Sequence, residues 1–130
     1  MIIKSSQVSI PVKDLDEAKE FYTGKLGFVV RTEMEFSPGW RYLTVAPSEK
    51  SETVLELQKV NDPERQKRIG KSPVMALVMF ETDDIEKDYQ VMKKRGVSFM
   101  NAPREVPGGK GAAFVDLYGN KLDLYQPMDH

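Results

Sequence analysis

The sequence predicts an α+β fold built from two tandem copies of a strand–helix–strand–strand–strand (βαβββ) module. An acidic residue that can start a helix occurs at corresponding points of the two halves, at Asp14 and at Asp84. An apolar segment suited to a strand precedes each of them. Near the end of each half an apolar–acidic–apolar triplet recurs, "LEL" at 55–57 and "LDL" at 122–124. A repeat of this length predicts two modules that pair, because about 60 residues form a marginal core alone.

The first half contains one helix and four strands. Alternating apolar residues predict a strand over 5–12. Asp14 then caps a helix with an apolar face, which ends at Gly27. The remaining strands are predicted at 28–36, 40–46 and 52–60, with a turn at "SPG" between the first two of them.

The second half repeats this order after a charged connection at 61–73, which has room for a short helical turn. A strand is predicted at 74–80, followed by a helix capped by Asp83 or Asp84 and closed by Gly96. A strand at 97–100, a Pro/Gly-rich loop at 101–111 and strands at 112–117 and 121–126 follow. The chain is therefore expected to be one domain, with module one at about 1–60 and module two at about 74–130.

The composition excludes several classes of function. Nineteen basic and 20 acidic residues give a net charge of −1, which argues against a nucleic-acid or membrane-surface protein. There is no cysteine, so thiol catalysis, disulfides and thiolate metal sites are excluded. The only histidine is His130, expected to be a frayed terminal residue. With no apolar run long enough for a membrane span and no signal-peptide pattern, a cytoplasmic location is expected.

The segments "VKDLDEAKEFYTGKLGF", "WRYLTVAP", "VLEL", "FETDDIEKDYQVMKKRGV" and "FVDLYGNKLDLYQP" together resemble the vicinal-oxygen-chelate superfamily. This superfamily includes glyoxalase I, the bleomycin-resistance proteins and the extradiol dioxygenases. The resemblance covers nearly the whole chain. It implies that the modules form a curved, partly open mixed sheet around a cavity, with the helices outside, and that the protein is a homodimer.

Side-chain alternation then sorts the strand residues between the helix side and the cavity side. Val8, Ile10 and Val12 are expected under the first helix. The residues expected to face the cavity are Gln7, Ser9, Val54, Glu56 and Gln58 in the first half and Leu77, Met79, Asp123 and Tyr125 in the second.

The resemblance also implies four inner positions for a divalent metal, and these fall on Gln7, Glu56, Leu77 and Asp123. Gln7 and Glu56 are residue types that the superfamily uses there, whereas Asp123 is one methylene shorter than the usual glutamate. Leu77 replaces the expected histidine and cannot bind a metal. The sequence therefore favours a protein without a cofactor. The alternative is a divalent cation: Mg²⁺ or Mn²⁺ would suit the three oxygen ligands best, ahead of Ni²⁺ or Zn²⁺.

Further candidate binding residues are Trp40 and Tyr42, as stacking surfaces for a flat ligand, and Arg104 in the loop before the last two strands. Arg41, between the two aromatic residues, is either an anion-binding group or a surface residue. The motif "PGGKG" at 107–111 lacks the spacing of a phosphate-binding loop and is interpreted as a lid or hairpin loop.

Two functions follow from these expectations. The first is a glyoxalase/bleomycin-resistance-like protein that binds a small amphipathic or aromatic molecule. The second is a metal-dependent lyase or isomerase of the glyoxalase I type, in which Glu56 or Asp123 serves as a general base at an enediolate. Whether the chain is an enzyme stays open, but a dioxygenase is disfavoured because its iron site needs two histidines.

Overall fold

The computed structural model describes residues 1–71 and 76–128. His130 and the predicted start of the fifth strand, Val74 and Met75, lie outside the described residues. The chain divides into two compact units, Met1–Arg68 and Ile69–His130, and the division falls inside the connection predicted at 61–73. Within the described ranges, no helix has the length and apolar character needed to cross a membrane.

The first unit contains a four-stranded mixed sheet. Its strands are β1 (Gln7–Val12), β2 (Val29–Ser37), β3 (Trp40–Ala46) and β4 (Val54–Lys59), in the spatial order β1-β4-β3-β2. β1 runs parallel to β4, and the other pairs are antiparallel. The register between β2 and β3 shifts twice, between Val30 and Thr32 and between Glu35 and Ser37.

The first helix begins as predicted and stops before Gly27, which has φ 76°, but its last turn is not α-helical. The Asp14 carboxylate accepts a hydrogen bond from the Glu17 backbone N–H at 2.9 Å and so caps α1 (Leu15–Glu20). The next turn, Phe21–Lys25, is π-helical, because the Leu26 N–H donates to the Phe21 carbonyl at 3.2 Å. The wider turn buries both Phe21 and Tyr22. A short helix, α2 (Pro63–Gln66), forms in the connection, at the place where a helical turn was expected.

The second unit contains β5 (Val78–Glu81), α3 (Ile85–Lys94), β6 (Ser98–Phe99), β7 (Arg104–Val106), β8 (Gly109–Val115) and β9 (Lys121–Pro127). The sheet order is β5-β9-β8-β6, and β7 pairs with β8 beside β6. Asp84 caps α3 through the Lys87 N–H at 3.1 Å. Gly96, at φ 94°, closes α3, because the Val97 N–H donates to the Met92 carbonyl at 3.0 Å.

The prediction of a loop over 101–111 is wrong in part. Arg104–Val106 and Gly109–Val115 form an antiparallel hairpin joined by Pro107 and Gly108. The Pro/Gly-rich composition therefore marks a two-residue hairpin turn, with Gly108 at φ 84°, inside a segment that is otherwise β-structure. Of the two interpretations of "PGGKG", the hairpin is the one that forms.

The core of each unit lies on the helix side of its sheet. In the first unit the almost fully buried strand residues on that side are Ile10, Val12, Leu43, Val45, Leu55 and Leu57, and they form the core with Ala18, Phe21 and Tyr22. In the second unit they are Ala112, Phe114, Leu122 and Leu124, with Ile85, Met92 and Val97. The α+β class and the tandem order of the elements are thus confirmed, and β7 is one strand more than predicted. The opposite face of each sheet carries the candidate site residues.

Candidate functional site

On the open face of the first sheet, three side chains are linked by two hydrogen bonds. The Tyr42 hydroxyl donates to the Gln7 side-chain oxygen Oε1 at 2.6 Å. The Gln7 amide nitrogen Nε2 donates to the Glu56 carboxylate at 2.8 Å. Glu56 is only 9% exposed, so its partner replaces water that the carboxylate has lost. Three predicted site residues on three different strands are therefore brought together.

Next to these hydrogen-bonded side chains lies an aromatic cluster formed by Phe36, Trp40 and Tyr42. The Phe36 ring centroid is 5.4 Å from that of Trp40 and 6.0 Å from that of Tyr42. Trp40 and Phe36 are 58% and 59% exposed, which is unusual for side chains of this size. A pocket of about 370 Å³ lies at the Trp40 end of β3 and takes in residues of both sheet faces: Trp40, Glu56 and Gln58 together with Leu15, Gly39, Arg41, Lys59 and Asn61.

Ser9 and Gln58, also predicted to bind ligand, form a second pair on the same face. The Gln58 Nε2 donates to the Ser9 hydroxyl oxygen at 3.2 Å, and both residues are exposed. Val54, opposite Gln7 in the strand register, is half-buried.

Arg41 points away from this face, as alternation along β3 requires. Its guanidinium forms ion pairs with Asp16 at 2.8 Å and with Glu33 at 2.8 Å. The hydrogen bond to Asp16 is the largest influence that raises the Arg41 pKa above its ordinary value, with a further contribution from Glu33. Of the two interpretations of Arg41, the surface residue is the one that the structure supports.

The donor set of the first unit does not fit the metal site that the resemblance implies. An ion shared with Glu56 would need the side-chain oxygen of Gln7, but that oxygen points to Tyr42, and it is the amide nitrogen that faces Glu56. Nitrogen of a neutral amide is a donor and does not bind cations. Within residues 1–71 and 76–128, no group of three or more His, Cys, Asp or Glu side chains is arranged to hold a metal ion.

The second unit carries a larger groove, of about 720 Å³, on the open face of its sheet. Four predicted site residues line it: Met79, Arg104, Asp123 and Tyr125. The other lining residues are Met100, Asn101, Val106, Pro107, Gly111, Ala112, Ala113 and Lys121. Met79 and Met100 are 59% and 60% exposed, so they offer flexible apolar surface to a ligand.

The groove exists because the strand in its centre carries small residues. β8 lies between β9 and β7, and it presents Gly111 and Ala113 on the open face. Tyr125 and Arg104 are the strand neighbours of Gly111 on the two sides, and Asp123 is the neighbour of Ala113. Long side chains on the outer strands and almost none on the central strand leave a trough.

Asp123 and Arg104 have side chains that form no hydrogen bond or ion pair with other described residues of their unit, and the same holds for Lys121. Leu77 is 47% exposed and is not part of the groove lining. It lies just before β5, where its backbone N–H donates to the Lys121 carbonyl at 2.9 Å.

The residues of these sites that were not identified from the sequence include Phe36, Met100, Gly111 and Ala113. Phe36 is two residues after Met34, which faces Tyr42 across the strand pair, so alternation alone would have placed it on the aromatic face. Gly111 was obscured by the prediction of a loop up to residue 111, whereas Ala113 fell in the strand predicted at 112–117 but carries no functional group.

Comparisons with known proteins agree with this architecture. The family model of the Glyoxalase/Bleomycin resistance protein/Dioxygenase superfamily matches residues 4–124. The chain belongs to this superfamily, as the resemblance implied.

Individual relatives cover nearly the full length. The crystal structure of UcmS2 is similar with a TM-score of 0.86 and 35% identity, over 96% of this chain and 98% of that one. TnmS3, described as an antibiotic binding protein from Streptomyces sp. CB03234, has a TM-score of 0.80 and 30% identity, over 98% of each chain. An uncharacterized protein of Shewanella frigidimarina (strain NCIMB 400) is 34% identical over 124 residues, which are 94% of this chain and 92% of that protein.

Proposed function

We propose that this protein binds a small amphipathic organic molecule and does so without a metal ion. The observation that carries the proposal is the groove of about 720 Å³ on the open face of the second sheet. Its volume is in the range of small-molecule sites, and it combines exposed methionines with a few polar groups. The similarity to TnmS3, an antibiotic binding protein, supports an antibiotic or a comparable compound as the ligand.

The test fills the groove from its floor. In Ala113→Leu, three added carbon atoms would occupy groove space between Asp123 on one side and Met100 and Asn101 on the other. Binding is measured by fluorescence titration with the amphipathic aromatic probe 8-anilino-1-naphthalenesulfonate. Displacement of buried ligand methylenes, at about 0.8 kcal/mol each, predicts that Ala113→Leu weakens binding by about tenfold or more.

The matched control is Ala102→Leu, which makes the same substitution at an exposed position outside the groove lining. It should bind the probe as the wild type does. Equal affinity of all three proteins, or no binding by the wild type, would contradict the proposal.

The competing function is the glyoxalase I-type lyase, with Glu56 or Asp123 as the general base. The geometry of the first unit does not favour it, because Gln7 turns its amide nitrogen, and not its oxygen, toward Glu56. Calorimetric titration of the purified protein with Mg²⁺, Mn²⁺, Ni²⁺ and Zn²⁺ is expected to show no stoichiometric binding. Tight binding of one ion, together with turnover of a hemithioacetal, would establish the lyase instead.

We also propose that the protein is a cytoplasmic homodimer. Met1, Ile2 and Ile3 are 116%, 95% and 89% exposed in the single chain, which supports their burial against a second copy. Sedimentation velocity should give twice the chain mass of 14.8 kDa, and a monomer at micromolar concentration would contradict the dimer. The absence of cysteine supports the cytoplasmic location, which cell fractionation tests.

A further inference from the structure

Gln7 stands where the superfamily resemblance implies a metal ligand, yet its contacts give it a different role. We propose that Gln7 is a positioning residue, which fixes the Tyr42 ring as one wall of an aromatic surface formed with Phe36 and Trp40. The ligand class that fits this surface is a planar aromatic ring system. The proposal goes beyond the proposed function, because this surface belongs to the first unit and the groove to the second.

In the series of hydrogen bonds from Tyr42 through Gln7 to Glu56, the buried residue Glu56 sets the direction of each bond. An ionised carboxylate only accepts hydrogen bonds, so Glu56 requires the Gln7 nitrogen Nε2, its donor, at 2.8 Å. The Gln7 oxygen Oε1 must then point the other way, where it accepts from the Tyr42 hydroxyl at 2.6 Å. Glu56 therefore orients Gln7, and Gln7 in turn holds Tyr42.

Holding the Tyr42 hydroxyl leaves the ring, rather than the polar group, available to a ligand. The ring lies 6.0 Å from Phe36, and Phe36 lies 5.4 Å from Trp40, with 39° between the last two ring planes. Side chains that are ordered before binding lose less conformational entropy when a ligand arrives. Because Phe36 and Trp40 are more than half exposed, the surface offers aromatic contacts, which favour flat π-electron systems over aliphatic chains.

The first experiment needs no ligand. NMR spectra of protein labelled with ¹³C in its tyrosine rings report on Tyr42, whose signal is assigned by its loss in Tyr42→Phe. In Gln7→Leu the Tyr42 signal should shift and its ring order parameter should fall, because the hydroxyl has lost its acceptor. An unchanged Tyr42 signal in Gln7→Leu would overturn the proposal.

The matched control is Thr53→Val, which removes the hydrogen bond from the Thr53 hydroxyl to the Ser5 carbonyl at 3.0 Å. That bond also joins the segment before β1 to the start of β4, but it is remote from Tyr42 in the sheet register. A general loosening of β1 would alter the Tyr42 signal in both variants, and would also overturn the proposal. If Gln7 positions Tyr42 specifically, the Tyr42 signal changes only in Gln7→Leu.

The second experiment measures binding of naphthalene-2-sulfonate, with octyl sulfate as the aliphatic comparison. Trp40, the only tryptophan of the chain, reports binding through its fluorescence. Gln7→Leu and Tyr42→Phe should each weaken naphthalene-2-sulfonate binding by about threefold to tenfold. The double variant should be no weaker than either single variant, since both remove the same hydrogen bond.

The outcomes separate this proposal from the proposed function. Losses that multiply in the double variant would overturn the positioning role of Gln7. A preference for octyl sulfate would overturn the aromatic ligand class. If the wild type binds none of these probes, the aromatic ligand class of this surface fails, whereas the NMR comparison still decides whether Gln7 holds Tyr42. The groove of the second unit is tested separately by Ala113→Leu.

Discussion

Substitution of Asp116 by alanine should destabilise the second unit strongly, although Asp116 has no place in the groove. Asp116 is 4% exposed and lies in the turn between β8 and β9. Its carboxylate accepts from the backbone N–H groups of Tyr118 and Asn120 at 2.9 Å each, and from the Asn120 side-chain amide at 2.9 Å. A carboxylate with three such donors organises the whole turn.

The expected loss of stability follows from the hydrogen-bond donors that the substitution leaves without an acceptor. Loss of an acceptor costs about 1–3 kcal/mol for each donor that stays buried, and both Asn120 donors are buried. Asp116→Ala should therefore lower the free energy of unfolding by about 3 kcal/mol, or on the order of a hundredfold in the unfolding equilibrium constant. Urea denaturation followed by far-UV circular dichroism measures this change.

Asp123→Ala provides the comparison, because it removes the same side chain seven residues later in the same unit. The Asp123 carboxylate is half-buried in the groove and has no hydrogen-bonding partner among the described residues of its unit. Its loss should change the free energy of unfolding by less than about 0.5 kcal/mol. A cost below about 1 kcal/mol for Asp116→Ala, or equal costs for both variants, would refute the reasoning.

Three further predictions concern the stability of the fold. The hydrogen bond from Lys19, and after it that from Arg41, lowers the pKa of Glu33 below its ordinary value of 4.5. The ionised Glu33 carboxylate therefore stabilises the folded state at neutral pH, and this contribution is lost when acidification passes through the lowered pKa. The stability difference between wild type and Glu33→Gln should accordingly vanish at acid pH, and a difference that persists there would contradict this assignment. Gly70→Ala should destabilise by more than about 1 kcal/mol, because φ is 73° and the new Cβ would lie 2.4 Å from a backbone oxygen; an unchanged melting temperature would disprove it. Phe114→Ala, at a side chain that is 1% exposed, should cost about 3–5 kcal/mol in urea denaturation, and a cost below about 1 kcal/mol would show that the site is not core.

Local signals in the sequence predicted the regular elements well. Asp14 and Asp84 cap the two main helices, because an acidic side chain next to an amphipathic segment satisfies free backbone N–H groups whatever the tertiary context. The π-helical turn at Phe21–Lys25 could not be predicted in this way, since it depends on how Phe21 and Tyr22 reach the core. Proline and glycine at 107 and 108 signalled a turn, but not that strands flank it directly.

The sites were predictable to the extent that they follow strand alternation. Gln7 and Glu56 were expected on one sheet face, and they contact each other there. The hydrogen bond from Tyr42 to Gln7 was not foreseen, because it crosses the intervening strand and depends on the reach of a long side chain. The groove was missed for a different reason: it is created by the absence of side-chain volume at Gly111 and Ala113, whereas a search for chemistry looks for functional groups.

The two register shifts in β2 also limit uncontrolled strand addition between copies of this protein. β2 forms an edge of the first unit's sheet, and its nine residues, Val29–Ser37, are a long template for strand addition. An incoming strand needs an uninterrupted row of evenly spaced backbone groups, which the irregularities after Val30 and after Glu35 break. The second irregularity includes Phe36. Phe36, which is 59% exposed, therefore lies where the row of backbone groups is interrupted, and this disfavours amyloid-like addition of a strand there.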